Sequence, residues 1–412
     1  MAMTALEQES AYRHTYELIL SCGPRLVYSA DLPAMMGDAP KGVYFESCVN
    51  EKAAYEMALA GAIAHKRTAC LFSVEGVYEA LDPLMSSAYT GVKGGFVVVC
   101  VKEGALDITP LGPFSKLPVL VSDGKGDDLP AALSFAFDLS ERYEIPCVVE
   151  TLPPMARRES AVGGALEGRS AFVKDQARWA AIPKFRYQLH KALNEKTERI
   201  REEFEHYSGN AWVRRGAQGV ITHRACDEGM TSPGSVLALG SIFPLPTRLV
   251  SAFINEMEEV RIVEGAAPAI EVQVRESDKI DGALRKAEKG GSAIPPLAGR
   301  EELFGFTVVR DRLGPASAIN LAHGMAKGGA KKILAITRED AFFHSGLPAL
   351  VNTLYNGSAY VLVIERANKG AEIGRVLQGF GFSSFFRIRE AGELAQYADA
   401  EGLTVLSYEG DL

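Results

Sequence analysis

The stretch Asn50-Glu51-Lys52-Ala53-Ala54-Tyr55-Glu56-Met57-Ala58, with Leu81-Asp82-Pro83-Leu84-Met85-Ser86-Ser87-Ala88-Tyr89-Thr90-Gly91-Val92-Lys93-Gly94-Gly95 after it, decides the fold. Asn50 has the side chain of a helix N-cap, and the run behind it predicts a helix as far as His65. Arg67 to Ser73 reads as a strand, Val77 to Tyr89 as a second helix, and Gly95 to Val101 as an apolar strand. An uninterrupted apolar strand between helices is the pattern of a parallel sheet covered on both faces. The alternation extends outward through a helix from Tyr12 to Leu20 and strands at 25–28 and 43–47. Beyond Val101 it continues with a strand from Leu117 to Ser122, a helix from Asp127 to Tyr143 and a strand from Ile145 to Thr151.

Further along, 157–215 is a charged connector with a helix from Lys184 to Tyr207, whose Leu189, Leu193, Ile200 and Phe204 make an apolar stripe. A small α/β unit over 216–280 follows, with strand Ser235 to Gly240, helix Pro246 to Met257 and strand Val260 to Gly265. Residues 281–305, with Gly290-Gly291 and Pro295-Pro296, read as a linker. The last unit, 306–412, alternates again, so the expected class is α/β. Two doubly wound parallel-sheet units, 1–156 and 306–412, flank a smaller α/β unit.

With 412 residues, 47% hydrophobic and 23% charged, the chain has a soluble globular composition and is long enough for two or three domains. Its net charge of −8 argues against nucleic-acid binding. No apolar run approaches the ~20 residues of a membrane span. Met1 to Ser10 lacks the pattern of a secretory signal, so a cytoplasmic protein with no membrane association is expected. The six cysteines include no Cys-x-x-Cys pair, so buried free thiols are expected and no iron–sulfur cluster in this chain.

The two opening stretches resemble the pyrimidine-binding domain of the thiamine-diphosphate-dependent 2-oxoacid:acceptor oxidoreductases, of the indolepyruvate:ferredoxin oxidoreductase alpha type. The turn Phe243-Pro244-Leu245-Pro246 resembles the one before a helix in that family's transketolase C-terminal-like domain. Thr337-Arg338-Glu339-Asp340-Ala341-Phe342-Phe343-His344-Ser345-Gly346 resembles the run Gly-Asp-Ser-Thr-Phe-Phe-His-Ser-Gly of its diphosphate domain. The resemblance implies thiamine diphosphate and Mg²⁺ as cofactors and a dimer, with an oxidoreductase gamma- or beta-like subunit or a ferredoxin-type partner.

By that resemblance Glu51 is the glutamate that activates the aminopyrimidine, although a glutamate opening a helix is also what the helix dipole favours. Phe343, His344, Ser345 and Gly346 fall at the cofactor site, as does His323, which taken alone is an ordinary hydrogen-bonded histidine. The family's metal-binding Asp and Asn positions are altered, however. Arg338 stands at the family's glycine, and Glu365-Arg366-Ala367-Asn368 replaces its Asp-Asn pair. Three alternatives follow. Glu339 or Asp340 with Asn368 forms a shifted metal site. Or Arg338 and Arg366 balance charge themselves, on a phosphate or on Glu339 and Asp340. Or the pocket has collapsed into surface ion pairs of little value.

Polar loops of the family are also rewritten. Tyr28 to Met35 lacks the expected glycine and hydroxyls, Ser73 to Tyr78 replaces a Lys-His-Val-Gly-Leu-Asn run, and Lys102 to Asp107 replaces a longer polar loop. The expected function is a diverged alpha-like subunit of a larger redox complex, impaired in thiamine diphosphate and Mg²⁺ binding. Active oxidative decarboxylation of an aryl or branched 2-oxoacid, or binding of another anion in the same crevice, are the alternatives.

Overall fold

The computed structural model describes residues 5–30, 40–104, 106–154, 176–179, 183–265, 267–274, 280–285, 302–311, 314–327 and 329–412. The chain divides into two compact units, Met1–Lys289 and Gly290–Leu412.

In the first unit, six parallel strands run in the order Val119–Ser122, Cys147–Thr151, Phe96–Val101, Thr68–Ser73, Leu26–Ser29, Tyr44–Ser47. Phe96–Val101 sits near the middle and every residue of it is buried, which is why it carries no polar alternation. Helix Glu51–Ile63 starts where the sequence placed it: the Asn50 side chain accepts from the Ala53 amide at 2.8 Å. Its Tyr55 hydroxyl meets Ser87 Oγ at 2.7 Å in the core, so the two deciding stretches touch.

The single helix expected over 77–89 is two helices, Val74–Glu79 and Leu81–Thr90. Pro83 has no amide hydrogen to donate to Glu79, so one helix cannot run through, whereas the first turn of a new helix accepts proline. Gly91 ends the second helix at φ +65, and a Cβ there would run into the Glu144 carbonyl.

A second sheet follows in the order Ile280–Arg285, Glu259–Glu264, Gln218–His223, Ser235–Leu239, Ala211–Val213, antiparallel only at its last strand. The expected boundaries move accordingly. The segment expected as a linker opens inside strand Ile280–Arg285, and strand Ala211–Val213 lies within the expected connector. After Leu239 the chain crosses to the first sheet and adds Ser241–Phe243 antiparallel to Val119–Ser122. Asn210 Oδ1 accepts from the amides of Gly240 and Ser241 at 2.9 and 3.1 Å and fixes this crossing. Helix Pro183–Phe204 buries Leu193, Ile200 and Phe204 against the same continuous core.

The second unit has strands in the order Glu302–Leu303, Phe306–Arg310, Ile333–Arg338, Val361–Glu365, Thr404–Tyr408, Phe385–Ile388, parallel except for the first. Its side chains alternate cleanly. Val309, Ala335, Leu362 and Val405 pack with the helices Ser317–Lys327, Leu347–Asn356 and Gly370–Gly379. Val308, Leu334, Val363 and Leu406 pack with Ile388 and Leu394.

Candidate functional site

Glu51 lies in the first unit, only 3% exposed. The helix Val74–Glu79 passes directly over it. An added Cβ on Gly76 would lie 2.8 Å from both Glu51 Cγ and Oε1, so only a glycine allows the carboxyl to lie there. Ser73 accepts from the Gly76 amide at 3.1 Å and holds that glycine in place. A crevice of about 370 Å³ opens nearby, at the carboxyl ends of the two central strands. Ser73, Val74, Glu75, Val101, Glu103, Gly104 and Leu106 line it.

Beside this crevice the structure assembles a group that sequence reading missed. Lys102, Asp107, Glu150 and His223 are all buried. Lys102 Nζ lies 3.4 Å from Asp107 and 3.9 Å from Glu150. Glu150 Oε2 accepts from the Ile108 amide at 2.7 Å, and Asp107 Oδ1 accepts from Thr109 Oγ1 at 2.6 Å. Burial pushes the Glu150 carboxyl up to about 7, against the opposing pull of Lys102. Burial, with Lys102 nearby, lowers the His223 imidazole to about 4. The segment Lys102–Asp107 is therefore tied inward by charge. Local patterning does not show this, because His223 comes from the second sheet.

Except for His323, which pairs with Ser358 just before strand Val361–Glu365 begins, at the opposite edge, the remaining candidates lie at one edge of the second unit, where its parallel strands end. Such carboxyl ends are where open α/β sheets hold ligands. Phe342 is buried, and a π-helical turn, Phe342–Gly346, leads into helix Leu347–Asn356. Phe343 makes an edge contact with Phe342 at 5.5 Å between centroids. A Cβ on the buried Gly346 would lie 3.0 Å from Phe342 and 3.2 Å from Ala316. His344 Nδ1 and Ser345 Oγ are 2.6 Å apart, and His323 Nδ1 is 2.9 Å from Ser358 Oγ.

At the strand ends themselves, Arg338 and Asp340 pair at 2.8 Å, both more than half exposed. Glu339 Oε1 accepts from the Lys369 amide at 2.6 Å. Arg366 does not meet Glu339 or Asp340. Its Nε and Nη2 bond both Asp411 oxygens, at 2.5 and 2.9 Å, and this holds the Asp411 carboxyl below its ordinary range. Asn368 follows in the same turn, its amide on the Arg366 carbonyl at 2.9 Å. Asp311 is held up by burial and accepts from Thr337 Oγ1 at 2.7 Å and the Ala318 amide at 2.9 Å. Among the described residues no group of three or more His, Cys, Asp or Glu is placed to hold a metal ion.

Of the other expectations, all six cysteines are free thiols, five buried and Cys22 half-buried. Among the described residues no helix is long and apolar enough to cross a membrane. Asp31 to Met35 lie outside the described residues.

No family model matches the chain. It is 26% identical over 455 aligned residues to an indolepyruvate oxidoreductase subunit IorA of Archaeoglobus fulgidus, covering 86% of this chain and 71% of that protein. The subunit IorA of Pyrococcus abyssi is also 26% identical, over 437 residues, covering 78% and 67%. Among solved structures, a 2-oxoglutarate:ferredoxin oxidoreductase from Magnetococcus marinus, with 2-oxoglutarate, coenzyme A and succinyl-CoA bound, matches at a TM-score of 0.51 and 13% identity. That match covers 69% of this chain but only 61% of the other, and it shows a shared α/β fold.

Proposed function

We propose that this chain, a diverged relative of the indolepyruvate oxidoreductase IorA subunits, is an alpha-like subunit of a 2-oxoacid oxidoreductase assembly that has exchanged a metal–diphosphate clamp for arginine ion pairs. The observation that carries the proposal is the state of the carboxylates at the strand ends. A hard divalent cation needs several free oxygen ligands. Here Asp340 is taken by Arg338, Asp411 by Arg366, Glu339 by the Lys369 amide and Asp311 by Thr337 and Ala318. Carboxylates engaged in this way are a poor set of ligands for Mg²⁺. In this reading the chain works through its surfaces, as a homodimer and with a gamma- or beta-like or ferredoxin-type partner.

A second reading, an active thiamine-diphosphate enzyme acting on an aryl or branched 2-oxoacid, draws support from one feature. Glu51 is buried beneath Gly76 at a helix start, as a carboxyl meant for a pyrimidine ring would be. Calorimetric titration of the chain with thiamine diphosphate, with and without Mg²⁺, separates the two. Absence of Mg²⁺-dependent binding supports the subunit reading; micromolar, metal-dependent binding removes it.

A further inference from the structure

We propose that Asp107 is a proton-controlled latch between the first and second sheets: it stays seated on Gly265 while Glu150 beside it carries a proton, and it is released when that proton is lost. The seat is close. A Cβ on Gly265, just past strand Glu259–Glu264, would lie 2.0 Å from Asp107 Oδ2, so only glycine admits the carboxylate there. Asp107 stands in an irregular turn, and Leu106 before it is 48% exposed and lines the crevice. Two hydroxyls steady the turn. Tyr78 Oη donates to Asp107 O at 2.9 Å, and Thr109 Oγ1 donates to Asp107 Oδ1 at 2.6 Å.

Glu150 is fixed by contrast. It is wholly buried on strand Cys147–Thr151, paired with Cys100 on one side and Val121 on the other. Its Oε2 accepts from the Ile108 amide, while Oε1 has no hydrogen-bond partner and lies 3.9 Å from Lys102 Nζ. Lys102 is nearer to Asp107, at 3.4 Å. With Glu150 a neutral acid, one buried cation faces one buried carboxylate. Loss of the Glu150 proton sets two carboxylates against one ammonium away from water, an arrangement that costs free energy. The other groups around Glu150 offer no relief. His223 is buried with neither ring nitrogen bonded, and burial, with Lys102 nearby, keeps it neutral. Burial likewise raises Tyr78 and Cys100, and Glu75 adds negative charge on the same side. Of the two carboxylates only Asp107 stands on a turn that can swing to solvent. Its departure breaks the Tyr78 bond, clears Gly265 and takes Leu106 off the crevice wall. Burial holds the Glu150 carboxyl at about 7 against an ordinary 4.5, so the latch is strongest below 4.5 and is lost as pH climbs through 7.

The test is hydrogen exchange of the full chain, read by mass spectrometry at pH 6 and pH 8, with each rate divided by the intrinsic chemical rate at that pH. His223→Gln is the reference chain, because it removes the one other group of the site that titrates in this window. There the Ile108 and Thr109 amides are expected to exchange about tenfold faster at pH 8 than at pH 6, as one proton released between 4.5 and 7 requires. The difference is expected to vanish in His223→Gln/Glu150→Gln and in His223→Gln/Asp107→Asn, since each leaves a single carboxylate facing Lys102. The amides of Val148 and Val149, in the strand that carries Glu150, are expected to show no difference. An equal corrected rate at the two pH values overturns the proposal, as does a pH effect that survives Glu150→Gln. A difference of the same size at Val148 and Val149 also overturns it, because the opening is then that of the whole unit and not of a latch.

Discussion

Replacing Glu150 with glutamine is expected to stabilise the first unit at alkaline pH and to change nothing at acid pH. The buried carboxyl titrates near 7 in the fold against an ordinary value of 4.5. A group raised in this way contributes stability that is complete below 4.5 and is lost as pH climbs through 7. The displacement corresponds to about 3 kcal/mol at about 1.4 kcal/mol per pH unit. His223 works in the opposite sense: lowered from 6.5 to about 4, its contribution is complete above 6.5 and is lost as pH falls through 4, again by about 3 kcal/mol. The two slopes oppose each other between pH 4.5 and 6.5. Glu150→Gln uncovers the His223 slope. Its stability is expected to rise with pH from 4 to 6.5 and to exceed the natural chain by about 3 kcal/mol at pH 8. His223→Gln gives the mirror result, with its advantage at pH 4. The assay is urea unfolding followed by tryptophan fluorescence, since the chain's two tryptophans, Trp179 and Trp212, both belong to the first unit. Glutamine keeps an oxygen for the Ile108 amide, so no hydrogen bond is lost. A Glu150→Gln advantage that is equal at pH 5 and pH 8 refutes the reasoning.

Gly76→Ala is expected to destabilise by about 1–3 kcal/mol through crowding of Glu51, and most of that loss should vanish in the Gly76→Ala/Glu51→Ser background; additive losses in the double-mutant cycle contradict the contact. Glu205→Ala removes the carboxylate that accepts from the Arg248 and Leu249 amides at 2.8 Å at the start of helix Thr247–Glu256. A loss of about 1 kcal/mol in the same urea assay is expected, and no loss would mean that the helix start is held by other contacts.

Much of the local structure was legible, although Pro83, which splits the helix expected over 77–89, was passed over. Asn50 announced its helix and Phe96–Val101 its buried strand. What escaped depends on distant partners. Strand Ser241–Phe243 carries no signal that it leaves its own sheet for another. Strands Gln218–His223 and Phe306–Arg310 were not read from the sequence, although they are no shorter than strands that were. The site shows the same division. Altered residues at 338 and 366 were visible, and the Arg338–Asp340 pair was one of the alternatives left open for them. The choice of Asp411 by Arg366, and the union of Lys102, Asp107, Glu150 and His223, are tertiary facts that no local pattern encodes.

If guanidinium groups have displaced a divalent cation at the strand ends of the second unit, as proposed, the chain holds no tight site for such an ion. Electron paramagnetic resonance of Mn²⁺, used in place of Mg²⁺, measures this directly when the ion is titrated into the natural chain at saturating thiamine diphosphate. The free-ion signal is expected to grow in proportion to added Mn²⁺, as it does in buffer with the same cofactor concentration. One equivalent of tightly bound Mn²⁺ per chain, lost in Glu339→Gln, contradicts it.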